Sequence, residues 1–432
     1  FLENLYNSIF FIIHNNNLNM EEKTESILSR LMLFPTSISN IQKNIINYSK
    51  YHIDESFNLI IAIERLLSNL PLYINAGEST LNQIDDNILK INQKIKKLKN
   101  HFKNIVNKEE LDKDKMISNY LIYNKNIKFD LDYKNLINDI HNKMLNISLP
   151  IYKLNNDEPV WVDKEDTLNI IHSILKESIY SYPSRNEIIM SLDESLNRVN
   201  LFSKEILNLK YNINDNYEII INNYVYLEPN MLYKFWNDKK NTYLFLNSDY
   251  YQNSVLKNFN KYQLDLYNIS NYFPGKYSQI LETKKQQNSI EDIFIDNYTN
   301  WGWGLLCEYI FVDKGYGSKD NDIYRLIHLK NVLDSILKNM VFSNYYIQGK
   351  SEADIENEIH NLTFYNREEI RKILIGITQN PIELNFEIIG YLKLKEIYCK
   401  YGYNDIPHFY SILVDNGHLN PDFIKEVKFP NE

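Results

Sequence analysis

The sequence predicts a mainly α-helical protein with a small inserted β-sheet. Gly and Pro number only 11 each in 432 residues, against a combined usage of about 12% in average chains. Tight turns are therefore few, which favours long helices over sandwiches or barrels. Hydrophobic residues make up 44%, enough for a real core, so the chain is not disordered. Apolar residues recur at helical spacing in long segments, whereas one stretch after about residue 210 is rich in β-branched and aromatic residues.

The clearest helix spans 80–105. Leu81, Ile84, Ile88, Ile91, Ile95, Leu98, Phe102 and Ile105 follow one another at alternating steps of three and four, the pattern of a coiled-coil seam. It is expected to pack along another long helix of the same chain; a dimer zipper is the alternative. Asp85 and Asp86 near its start and lysines near its end suit the helix dipole. A second helix is predicted over 323–341, where Ile323, Leu326, Lys330, Leu333, Leu337 and Met340 keep a near-helical period with one polar interruption. Ser351 with Asp354, and Asn366 with Glu369, are capping pairs that start the next two. Asn380-Pro381 breaks the second of these, and a further helix runs to Gly402. The β-rich stretches 216–230 and 242–248 read as two strands joined around Pro229. Without repeats or a Pro- or Ser-rich linker, one continuous domain is expected. Residues 1–210 would form a helical part containing the 80–105 helix, and 211–432 the sheet with the remaining helices.

The formal net charge of −9 argues against a general nucleic-acid binder, whose affinity rests on neutralising phosphates. Two cysteines, Cys307 and Cys399, exclude a disulfide framework and leave at most one bridge. The longest apolar runs, such as 8–13, fall far short of the ~20 residues of a membrane span. The chain starts at Phe1, which fits either an exported protein with its leader removed or a cytoplasmic one. The 34 tyrosines reflect an AT-rich codon bias before they suggest an aromatic-lined cleft. Nine histidines (His14, His52, His101, His141, His172, His328, His360, His408 and His418) include no i, i+4 pair and hence no HExxH zinc helix. Each reads first as structural. No GxSxG elbow occurs, and KGYGSKD at 314–320 lacks phosphate-loop spacing, so it reads as a helix–helix loop.

One constellation stands apart. YLEPN at 226–230 and TYLFLN at 242–247 are followed by SNYFPGKYSQ at 270–279 and WGWGLLCEY at 301–309. Further on come NPIELNFEIIGYLKL at 380–394 and FYSILVDNGHLNPDFI at 409–424. In order and spacing these resemble a bacterial family of helical, gluzincin-like metallopeptidases (domain of unknown function eight-eight-five), similar in architecture to carboxypeptidases of the Taq type. That family reads roughly Y-x-P-P, a strand, HExxPGHHxQ, then EGWAxYxE and a helical tail. The segment 120–144 also resembles the family's approach to its catalytic region, so the resemblance covers most of the chain. It implies a large helical domain of gluzincin-like type with a small sheet beside a peptide cleft, whose edge strand would lie near 242–248.

The departures from that pattern are as informative. Ser270, Asn271, Lys276 and Tyr277 stand where the family has zinc ligands and its general base, and Trp301 replaces the acidic ligand. Pro274, Gly275, Gln279, Gly302, Trp303 and Glu308 match, and Glu387 stands near the tail motif's Tyr. Catalytic zinc needs three N, O or S ligands. Ser, cationic Lys and Trp do not supply them, and Asn271 cannot accept a proton as Glu does. No metal and no cofactor are therefore expected. The first reading is a metal-free homologue, a pseudoenzyme, that binds a peptide- or amide-like ligand through Tyr272, Phe273, Trp301, Trp303 and Glu308. The second is a repurposed enzyme for acyl transfer, cyclisation or condensation, with Lys276, Tyr277, Asn271 and Ser270 as its catalytic group and Cys307 or Glu308 as helpers. The third is a scaffold acting through its helices. Nucleic acid and a membrane span are excluded as partners; a monomer or dimer is expected.

Overall fold

The structure is a computed structural model and describes residues 2–44, 50–105, 131–155, 164–178, 185–207, 217–227, 232–237, 242–247, 260–279, 296–379, 383–416 and 419–428. Residues 120–130, Pro229, the Asn380-Pro381 break and His418 lie outside them. Helices dominate, and the sheet is small and three-stranded, so the mainly α fold with an inserted sheet is the observed one. No described helix is long and apolar enough to cross a membrane.

Contacts divide the chain into two compact units, Phe1–Lys113 with Asp215–Val255, and Asp114–Asn214 with Leu256–Glu432. Each has its own apolar core. The sheet therefore groups with the N-terminal helices, where one continuous domain with a seam near residue 210 was expected. The reason is aromatic packing. Tyr6, on helix Leu2–His14, donates its hydroxyl to the Tyr224 carbonyl (2.9 Å) and accepts from the Tyr226 amide (3.0 Å). Phe10 meets Phe245 edge-on at 4.8 Å.

In this first unit, helix Glu78–Ile105 packs along helix Met20–Asn44. Ile84, Ile91, Ile95, Leu98 and Phe102 are buried in the shared core. The predicted seam is thus occupied by the chain's own helices, and a dimer zipper is not needed to cover it. Leu81, at the start of the pattern, stays exposed.

The strands are β1 Tyr217–Asn222, β2 Lys234–Asn237 and β3 Thr242–Asn247, in the order β1-β3-β2. β3 runs parallel to β1 and antiparallel to β2. It is the central strand, not an edge. Both its hydrogen-bonding sides are taken, so an extended peptide cannot add to it. The sequence read one strand too few because the four residues of β2 are too short to show a period.

The second unit is helical. Its centre is formed by helix Asn297–Asp313 lying against helix Glu383–Ile397, with Asn321–Phe342 and Lys261–Asn271 on its flanks. The first pair approaches closely because Gly302 faces Gly390: a Cβ on Gly302 would overlap the Gly390 backbone, and one on Gly390 would overlap the Tyr298 carbonyl. The predicted caps are present. Ser351 Oγ accepts from the Asp354 amide at 3.2 Å. Asn366 and Glu369 exchange side-chain and backbone bonds at 3.0 and 2.9 Å, a reciprocal capping box. Residues 314–320 form the expected loop between two helices, with Gly315 and Gly317 at φ of 86° and 82°. The last predicted helix ends in a π-turn, Tyr398–Gly402.

Candidate functional site

The segment 270–279 is held by its backbone. Asn260 caps helix Lys261–Asn271 through the Gln263 amide (2.8 Å), and the Asn268 carbonyl accepts from both Tyr272 (2.9 Å) and Phe273 (3.1 Å) as the helix ends. The Phe273-Pro274 peptide is cis. The Pro274 carbonyl then accepts from Trp303 Nε1 (3.1 Å), Tyr410 Oη (3.2 Å) and Ser278 Oγ (2.5 Å). Gly275 fits because a Cβ there would overlap the Ser270 carbonyl. Trp303 is fully buried. It clamps the Pro-Gly turn, which is a positioning task rather than a ligand contact.

The aromatic residues of the segment also face inward. Tyr272 and Tyr277 stack at 5.1 Å and 8°, and both are buried, as is Phe273. Asn271, Lys276 and Trp301 remain partly accessible. Asn271 Nδ2 donates to the Tyr267 carbonyl (3.1 Å), and Lys276 Nζ lies 4.3 Å from the Trp301 ring, a cation–π contact.

Ser270 and Glu308 come together. Ser270 Oγ is 2.8 Å from Glu308 Oε1 and 2.7 Å from the Leu266 carbonyl. Glu308 Oε2 accepts from His328 Nδ1 (3.0 Å) and Asn331 Nδ2 (3.1 Å). Ser270, Glu308 and His328 are all buried. Sequence reasoning missed His328 and Asn331. They sit one helix away, and no local spacing links them to Glu308; only the burial of a carboxylate, which demands donors, would have hinted at them.

Beside this group, Glu387 accepts from Ser335 Oγ (3.0 Å) and Lys338 Nζ (3.0 Å). Burial pushes its carboxyl up, but Lys338, Lys276 and these bonds outweigh that and hold it below the ordinary range. Cys307 is buried and free, and burial, then Glu308, raises its thiol well above the usual value. A thiolate nucleophile there is disfavoured. Cys399 is free and exposed, so the two cysteines do not pair.

Among the described residues no group of three or more His, Cys, Asp or Glu is placed to hold a metal. Glu308 and His328 bond each other, and the other groups bonded to them are the Ser270 and Tyr391 hydroxyls and the Asn331 amide. These residues do not fit the zinc of the family that the sequence resembles.

No protein-family model matches the chain, and no curated protein matches its sequence. Its fold is similar to two solved structures. One is a candidate lipoprotein of unknown function from Shewanella oneidensis, 14% identical, with a TM-score of 0.65 over 98% of this chain and 81% of that one. The other is a candidate lipoprotein from Colwellia psychrerythraea, 11% identical, with a TM-score of 0.70 over 96% of this chain and 77% of that one. At these identities the likeness is one of fold.

Proposed function

We propose that the chain is a metal-free relative of the gluzincin-like peptidases that it resembles, and that it binds a peptide- or amide-like ligand without zinc hydrolysis. The carrying observation is the internal pairing of Ser270 with Glu308, and of Glu308 with His328 and Asn331. Ser270, at a ligand position of the family, is bonded within the chain, while Lys276 and Trp301, at two others, stay partly accessible to a ligand. An amide fits such a pair: the ammonium donates to its carbonyl and the indole face packs on its plane.

The test joins metal analysis with a screen of blocked dipeptides by calorimetry. The expected result is no stoichiometric zinc, and binding that Lys276→Met or Trp301→Ala weakens about tenfold. One zinc per chain, lost on Glu308→Ala, would sink the reading.

A second reading is supported by the hydroxyl–carboxylate contact at Ser270: a repurposed enzyme for acyl transfer, cyclisation or condensation, with Lys276 and Tyr277 taking part. Turnover unchanged in both Lys276→Ala and Tyr277→Phe would exclude it. An exported location accords with the lipoprotein description of both structural neighbours, and fractionation of the producing cell tests it.

A further inference from the structure

The network beneath Ser270 continues past His328. His328 Nε2 lies 3.3 Å from Tyr391 Oη, and Lys395 Nζ donates to that same hydroxyl at 3.1 Å. Glu308, His328 and Tyr391 are buried, whereas Lys395 is partly exposed. We propose that Lys395, Tyr391, His328 and Glu308 form a proton relay between solvent and the buried carboxylate beside Ser270.

The hydrogen bonds run in one direction. The Tyr391 oxygen accepts from the ammonium and donates to His328 Nε2, so the imidazole proton is on Nδ1, aimed at Glu308 Oε2. One step shifts a proton along each bond. An N–H bond breaks at Lys395, an O–H at Tyr391 and an N–H at His328; an O–H forms at Tyr391, an N–H at His328 Nε2 and an O–H at Glu308. No electrons are gained or lost. The product is a neutral amine, phenol, imidazole and carboxylic acid, so no charge is stranded in the core.

The outer end suits release of a proton. Lys395 Nζ lies 3.8 Å from the Tyr309 ring and 5.3 Å from the Tyr391 ring. Lys143, Asp139, Asp313 and Cys399 are the charged and titratable groups around it. Burial, then Lys143, brings its ammonium below the usual lysine range. The relay goes beyond the ligand-binding reading and does not depend on it.

The test is solvent exchange of the His328 Nδ1 proton, followed by NMR on the full chain labelled with ¹⁵N-histidine and assigned through contacts to Tyr391. The relay predicts that Tyr391→Phe and Lys395→Met slow this exchange about tenfold or more. Lys395→Arg keeps the cation and the bond, but a guanidinium does not give up its proton, so exchange slows there too. A packing role alone gives the opposite sign, because a loosened core opens more often and exchanges faster. Unchanged or faster exchange in the two Lys395 variants overturns the relay, as does a proton found on Nε2. Ligand binding through Lys276 and Trp301, measured on the same variants, stays intact if only the relay fails.

Discussion

Asp265 lies on the helix that leads to the candidate site and is fully buried. Its carboxylate accepts from Arg198 Nη2 (2.7 Å), Arg198 Nε (3.2 Å), Tyr316 Oη (2.9 Å) and Tyr324 Oη (2.6 Å). Burial, with Asp265 nearby, pushes both phenols above the usual tyrosine range, so they remain donors at any physiological pH. Removing the acceptor takes the buried partner from two hydroxyls and leaves the guanidinium only the exposed Glu194, at 3.8 Å. Asp265→Leu should therefore cost roughly 3–5 kcal/mol, read as a lower urea midpoint with an unchanged slope. A cost below about 1 kcal/mol would mean that this carboxylate does not organise its surroundings.

At the scale of elements, the crossing of helices Asn297–Asp313 and Glu383–Ile397 sets the position of Glu308 relative to Tyr391. The crossing depends on two glycines whose missing Cβ atoms allow backbone contact. Gly390→Ala should destabilise by about 1–3 kcal/mol through overpacking. It should also weaken the His328–Tyr391 bond, visible as a changed His328 ring signal. Gly77→Ser is the control: nothing lies within 4 Å of an added Cβ there, and the change should stay within about 0.5 kcal/mol. Equal effects at both glycines would refute the close-contact account.

At the scale of the molecule, two cores give two local stabilities. The first unit carries an acid-sensitive group. His14 packs on Phe245 at 4.5 Å, and its Nε2 lies 3.3 Å from Tyr224 Oη. Burial, then Lys23, lowers its pKa to about 4. Well above pH 6.5 the imidazole is neutral both folded and unfolded, and pH has no effect through it. As pH falls toward 4, the unfolded chain takes up a proton that the folded one refuses, so stability falls by up to roughly 3 kcal/mol. Hydrogen exchange at pH 7 and pH 5 should show the described residues of the first unit losing protection before those of the second do. His14→Phe should flatten that dependence; an unchanged slope in the variant would assign it to another group.

Local chemistry was legible in the sequence wherever its cause is local. The seam from Ile84 to Phe102 follows from spacing alone, because a helix presents every third and fourth residue to one side. The caps at Ser351 and Asn366 follow from a short polar side chain meeting a free amide three residues on. The sequence also narrowed the candidate site to 270–279 and 301–309, and Ser270 and Glu308 do meet there. Tertiary structure decided the rest. It made β3 the central strand and grouped the sheet with the N-terminal helices. It turned Tyr272, Tyr277 and Trp303 into the core and brought His328, Asn331 and Tyr391 to Glu308. Strand order, burial and the partners of a buried carboxylate depend on residues distant in the chain, and no local spacing encodes them.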